Sequence, residues 1–188
     1  MGTIPTYPAF VAGSVLTAAQ LNLARDVDTF WALTPRCSVY QAVATSVVHS
    51  AAVTTGTVIA FDTELFDIVQ SGDTEMHSTS SNTSRLVIRT PGKYEIAGQV
   101  QFVTNATGIR VAQIALNAAG VYGAGTLLVQ NSQGALSTGS TSCATGVVEA
   151  QLVAGDYLEL FGAQSSGAAL NTSIGRANTW LRCKLVAQ

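Results

Sequence analysis

Hydrophobic and polar positions alternate without a fault through Lys93–Val103. Tyr94, Ile96, Gly98, Val100 and Phe102 fall on one face; Lys93, Glu95, Gln99 and Gln101 fall on the other. A period of two over that length marks a β-strand with one face buried and one wetted. Leu86 and Ile88 carry the same pattern through Arg85–Thr90, with Arg85 and Arg89 turned the other way. Between the two runs, Thr90-Pro91-Gly92 reads as a tight reversal, because proline presets φ and glycine accepts a positive φ. The pattern predicts two strands joined across Pro91-Gly92, the pair around which the chain is organised. Further strands are predicted over Val39–Val48, Thr57–Phe61, Ile109–Leu116, Leu127–Gln130, Cys143–Val153, Tyr157–Ala163 and Thr179–Val186, with weaker strand character at Phe66–Val69 inside a polar loop, Asp62–Asn82. Ile109–Leu116 is apolar on both sides, which suits either the centre of a sandwich or cover by a neighbouring subunit. Strands spaced by turns, without helices between them, predict a mainly β chain, a sandwich or jelly roll of about ten antiparallel strands.

The period changes at the front of the chain. Pro5 and Pro8 make Met1–Val11 an extended arm. Thr17 is then an N-cap with Gln20 completing a capping box, and Leu16 can staple onto Leu21. The predicted helix runs from Ala18 to Leu33 and stops at Thr34-Pro35, since the residue before proline is pushed out of helical space. Leu21, Ala24, Val27, Phe30 and Trp31 form one apolar stripe. An isolated helix of about sixteen residues is marginal in water, so the stripe must dock. It is expected to dock on neighbouring subunits or a different protein rather than on its own domain. Leu21, Val27, Phe30 and Trp31 are therefore the candidate attachment and oligomerisation residues. The chain divides into an attachment segment, 1–36, and a β domain, 37–188.

Composition sharpens this picture. Only 11% of residues are charged, while 47% are hydrophobic and the mean hydropathy is +0.32; an average soluble domain has roughly 25% charged residues. No run reaches the ~20 apolar residues of a membrane-spanning helix, and Met1–Val11 lacks the basic and apolar regions of a signal peptide. A low-charge surface of Ala, Ser, Thr and Gly suits burial between subunits, so an obligate oligomer is expected. Net charge is −2, and Lys93 and Lys184 are the only lysines, which speaks against a nucleic-acid footprint. Cys37, Cys143 and Cys183 are spaced as neither a disulfide framework nor a metal knuckle and are expected as buried thiols. His49 and His77 lack zinc spacing, no nucleophile elbow occurs, and the glycine-rich Gly120–Gly125 lacks the lysine of a phosphate loop. No catalytic residue, cofactor or metal set is therefore expected. The acidic group Asp62, Glu64, Asp67, Asp73 and Glu75 has the chemistry of a calcium loop but not its spacing, and is read as a solvated loop.

Two resemblances come from particular residues. Pro91, Gly92 and Tyr94 at the head of one strand, Leu152, Gly155 and Asp156 before another, and Trp180 in the closing strand resemble the C1q/TNF-like jelly-roll family over Thr57–Val186. That resemblance implies a ten-stranded jelly roll assembling as a compact homotrimer. The collagen-like Gly-X-Y stalk of the complement-type proteins does not precede it here. Phe10–Asn22, FVAGSVLTAAQLN, is similar to the opening of many tailed-phage virion proteins, particularly small tail and fibre proteins. Together the resemblances imply a non-enzymatic virion surface protein, assembled in the host cytoplasm and held to other virion proteins by its N-terminus. A minor tail or fibre role would make Gly120–Gly125, Asn131–Thr141 and Gln164–Asn171 candidate loops for a host cell-surface glycan. The alternatives are a capsid decoration or head-fibre protein and, more distantly, a cellular C1q-like binding module. Neither a membrane nor nucleic acid is expected as a partner.

Overall fold

The computed structural model describes residues 5–187, so the first four residues of the expected arm lie outside the described residues. One helix, α1 (Ala18–Ala32), precedes twelve strands. These are β1 (Arg36–Tyr40), β2 (Ser46–Val47), β3 (Thr57–Val58), β4 (Thr63–Ile68), β5 (Arg85–Val87), β6 (Gly92–Phe102), β7 (Ile109–Leu116), β8 (Thr126–Gly134), β9 (Thr141–Leu152), β10 (Tyr157–Gln164), β11 (Leu170–Asn171) and β12 (Trp180–Ala187). They form two facing sheets, β4-β1-β12-β6-β9 and β3-β10-β7-β8, with β5 also on β10 and a small β11-β2 ribbon. Every pairing between these strands is antiparallel, and an isolated parallel bridge joins His49 to Gln164.

The alternation in β6 holds: Tyr94, Ile96, Gly98, Val100 and Phe102 all face the core. Gly98 sits where the sheets close on each other. A Cβ there would come within 3.2 Å of Ile114 Cδ1 and 3.3 Å of Leu160 Cδ1, so the position is small because the opposite sheet occupies its space.

The reading of Thr90-Pro91-Gly92 as a reversal within an organising pair is corrected. β5 pairs with β10, Val87 opposite Tyr157, whereas β6 pairs with β12 and β9 in the other sheet. The turn therefore carries the chain across the sandwich. The Tyr94 hydroxyl ties this corner by donating to the Thr90 carbonyl at 2.8 Å. A period of two fixes which face a strand buries but says nothing of its partner.

Three boundaries also move. Val39–Val48 breaks after Tyr40, where the buried Gln41 amide donates to Thr45 Oγ1 and the Ala60 carbonyl and accepts from Thr172 Oγ1. The weak strand at Phe66–Val69 is a full strand, β4. Polar Asn131–Gly134 extends β8 by pairing with Ile109–Ala112, since an edge strand needs no apolar alternation.

β7 lies between β10 and β8, and both of its faces are covered by its own chain. Ala112 and Ile114 enter the main core; on the far side Ala115 packs with Ala118, Phe161, Val58 and Tyr122. The Tyr122 ring stands edge-on to Phe161, centroids 6.0 Å apart. It also lies against Gly56, where a Cβ would meet it at 2.4 Å.

α1 starts as its sequence dictates, with the Thr17 and Gln20 side chains capping each other's backbone. Residues 5–16 do not extend away from it. The Tyr7 hydroxyl donates to Asp28 at 2.6 Å and the Gln20 amide donates to the Ala9 carbonyl at 3.0 Å, folding the arm along the helix.

Candidate functional site

The register of the five-stranded sheet decides which side chains it turns away from the core. With Cys37, Cys183 and Ile96 inward, Arg36, Tyr40, Lys93, Glu95, Ala97, Arg182, Lys184 and Trp180 face outward, together with Phe66 from β4 and Val147 from β9. Arg182 stands at the middle of this face, opposite Ser38 and Ala97, and the exposed apolar Phe66 and Val147 stand on the edge strands β4 and β9. The face carries more arginine and lysine than glutamate, although the whole chain is net −2. Arg36 lies over the Phe66 ring at 5.8 Å and Arg182 over Trp180 at 4.9 Å. Lys93 is paired with Glu149. A hollow of about 230 Å³ between Phe66, Ala97, Glu95 and the three cations interrupts the face. Phe66 and Val147 are exposed on this face, and Arg36 and Arg182 are held over aromatic rings, so it keeps both apolar area and ordered cations at the surface.

The stripe on α1 divides. Val27 and Phe30 are 1% and 3% exposed, and Phe30 belongs to the main core of the sandwich. Leu21 and Trp31 remain 54% and 39% exposed. The expectation that the stripe as a whole seeks an outside partner is thus corrected for Phe30, which the chain's own β domain covers. The chain just after the helix is held to the domain, since the Leu185 amide of β12 donates to the Pro35 carbonyl at 2.9 Å. Phe10, Val15, Leu16 and Leu33 are exposed in this segment as well as Leu21 and Trp31, so the N-terminal segment keeps apolar area of its own at the surface.

The three candidate glycan loops are not gathered at one place. The segments after Gly134 and Gln164 meet at the end of the sandwich where β7 begins, through Ala135 to Gly108 and Ser165 to Ile109 backbone bonds. Gly120–Gly125 leaves the opposite end of β7, and its Tyr122 is partly buried against Gly56 and Phe161.

The acidic group is dispersed by folding. Asp62 accepts from the Ala42 and Val43 amides at 2.6 and 2.7 Å. Glu64 and Asp67 point inward from β4, where Glu64 meets His77 Nδ1 at 2.9 Å and Asp67 accepts the His77 amide at 2.9 Å. His77 Nε2 lies 3.1 Å from the Thr83 carbonyl, so this buried ring pins the 73–84 segment against an edge strand. Acidic side chains turned inward at an edge also discourage pairing with other chains. No cluster with the makings of a metal site occurs among the described residues.

The thiols are buried as expected. Burial pushes Cys143 up to about 11 and Cys183 up to about 12, and raises Cys37 further still. Sequence spacing hides the fact that Cys37 and Cys183 are direct cross-strand partners. It also hides two placed arginines. Arg110 is fully buried; its Nη1 donates to the Thr107 and Ile109 carbonyls and its Nη2 to Asn105. Arg85 bonds the fully buried Glu159 at 3.1 Å and stacks on Tyr157 at 4.3 Å.

No family model and no curated protein matches the sequence. Solved structures do match. Murine APRIL at pH 5.0 superposes with a TM-score of 0.59 at 13% identity, over 81% of this chain and 99% of that one. Eiger TNF from S. frugiperda gives 0.58 at 16% identity, over 82% and 94%. The fold is a TNF-like jelly roll. At such identities the likeness establishes the architecture alone, so function rests on the surfaces just described.

Proposed function

We propose that this protein is a non-enzymatic structural component of a tailed-phage particle. In this reading three jelly rolls associate through the outward face of the β4-β1-β12-β6-β9 sheet, and the N-terminal segment joins them to other virion proteins. The observation that carries the proposal is the pairing of two separate apolar surfaces on one low-charge chain. Self-association uses the sheet face, where Arg36, Arg182 and Lys184 meet a chain that is acidic elsewhere and Phe66 and Val147 supply apolar area at the edges. The helix then presents Leu21 and Trp31, with Leu16 and Leu33 nearby, to a different protein. The phage-like Phe10–Asn22 opening supports that second assignment. A tail or fibre position is the first choice; the distal loops after Gly134 and Gln164 are then the place for a host glycan. With both apolar surfaces covered, interface burial at ~25 cal/mol per Å² drives assembly, less the cost of ordering the partners.

Light scattering of the purified protein is expected to give three times 19.4 kDa, and Val147→Asp on the sheet face is expected to reduce it to the monomer. In particles purified from infected cells, Leu21→Asp with Trp31→Ala is expected to be lost while the free protein remains a folded trimer. A monomeric wild type, absence from particles, or undiminished incorporation of the double variant would each defeat the corresponding part. A few trimers per particle indicate the tail; dozens indicate the capsid.

A further inference from the structure

Beside β5, the segment Thr74–Asn82 folds along the strand's free side and leaves a cleft of about 260 Å³. The Val87 amide donates to the Met76 carbonyl at 2.7 Å and fixes one wall. Leu86 and Ile88 point into the core, so Arg85, Val87 and Arg89 line the opposite wall. The two arginines are held before any ligand arrives. Arg85 is clamped by Glu159 through Nε and by the Tyr157 ring across its face, and its terminal nitrogens have no hydrogen-bond partner among the described residues. Arg89 donates Nε and Nη2 to the Glu75 carbonyl at 2.9 and 2.7 Å. That acceptor is neutral, so it fixes the guanidinium without cancelling its charge. Glu75, Ser78, Ser81 and Asn82 also line the cleft.

Restrained guanidinium groups are the preferred partners of sulfate, phosphate and carboxylate, because their forked donors match the oxygens. A bare ion would leave the cleft's hydroxyl and amide groups unused and would lie near Glu75. A ligand carrying hydroxyls beside its oxyanion uses both, since Glu75 then accepts from a hydroxyl. We propose that this cleft binds an acidic saccharide, its sulfate or carboxylate on Arg89 and Arg85 and its hydroxyls on Glu75, Ser81 and Asn82. The assignment is independent of the virion reading, and none of the cleft's lining residues belongs to the loops considered for a host glycan.

The test is a titration of the purified full chain with N-acetylglucosamine 6-sulfate, followed by backbone amide and arginine Nε–H NMR shifts. Expected are saturable shifts confined to residues 74–89. N-acetylglucosamine and inorganic sulfate should each bind at least about tenfold more weakly, and Arg89→Gln should lose at least about tenfold, the scale of one charge-assisted fork. An unchanged amide spectrum outside the cleft confirms that Arg89→Gln is folded, and Arg89→Lys, which keeps the charge but not the fork, should fall between. Sulfate binding as tightly as the sugar would make this a simple ion site and overturn the proposal. Equal binding of the neutral sugar, full retention in Arg89→Gln, or no shifts at tens of millimolar would overturn it too.

Discussion

Replacing Phe30 by alanine tests the docking of α1 on its own domain apart from its proposed attachment role. Phe30 is 3% exposed and packs in the sandwich core, with the Trp31 ring edge-on at 5.2 Å. Loss of a buried phenylalanine typically costs 3–5 kcal/mol in transfer and cavity terms, and loss of an aromatic pair roughly another 0.5–1.5 kcal/mol. Alanine's better helix propensity returns about half a kcal/mol, and α1 can relax partly into the gap. The net expectation is about 3 kcal/mol, a large part of the 5–15 kcal/mol typical of a folded domain. Urea unfolding followed by tryptophan fluorescence reads this directly. With a slope near 2 kcal/mol per molar, the midpoint should fall by roughly 1.5 M at unchanged slope. Leu21→Ala, 54% exposed on the same stripe, should stay within about 0.5 kcal/mol. A Phe30→Ala loss below about 1 kcal/mol would refute the docking of α1 on its own domain. The attachment role could then revert to the whole stripe.

Two further outcomes follow from buried charge and buried thiols. Arg85→Met strips fully buried Glu159 of its cation, leaving the Ser84 hydroxyl and the Gly120 amide as its donors among the described residues. Breaking such a pair costs about 3–5 kcal/mol when both ends are buried. Arg85 is 27% exposed, so water moderates the cost and about 2–3 kcal/mol is expected; adding Glu159→Gln should restore part of it, and a loss under 1 kcal/mol in urea unfolding would contradict the pairing. The three cysteines are all raised by burial from an ordinary value of 9.0. A raised folded value means that their contribution is intact below pH 9 and is lost as pH climbs toward 12. Stability should then fall by up to about 4 kcal/mol per pH unit while only the unfolded thiols ionise. Replacing all three by alanine should flatten that alkaline limb, and an unchanged limb would refute the account.

The faces of β6 and the caps of α1 were legible because both depend on residues near in sequence. Tyr94 to Phe102 alternate, and Thr17 and Gln20 are three positions apart. Gly155-Asp156 was legible as a turn for the same reason: the Asp156 carboxylate accepts the Val153 amide three residues back. Partnership was not legible. Nothing near Pro91 says that β5 belongs to β10, and nothing near Glu64 says that its carboxylate meets a histidine thirteen residues on. Asn131–Gly134 was taken for loop because an edge strand facing water carries no apolar signature. Arg85 read only as an outward residue; its value as a held cation appears once β10 brings Tyr157 and Glu159 beside it. The division of the α1 stripe was hidden for a related reason, since periodicity locates an apolar face without saying what covers each turn of it.

The place of β12 in the larger sheet has a consequence for how the molecule is made. Trp180–Ala187 lies between β1 and β6, so it alone joins the β4-β1 half of the sheet to the β6-β9 half. A nascent chain that has not yet reached Trp180 holds two half-sheets with open inner edges and a core lacking Leu181 and Leu185. Cooperative closure must wait for synthesis of those eight residues, and folding should be slow in the manner of chains whose ends meet in mid-sheet. Until then the open edges are available to other chains. Under the proposed self-association, the completion of β12 sets the order of events: closure of each jelly roll first, association afterwards.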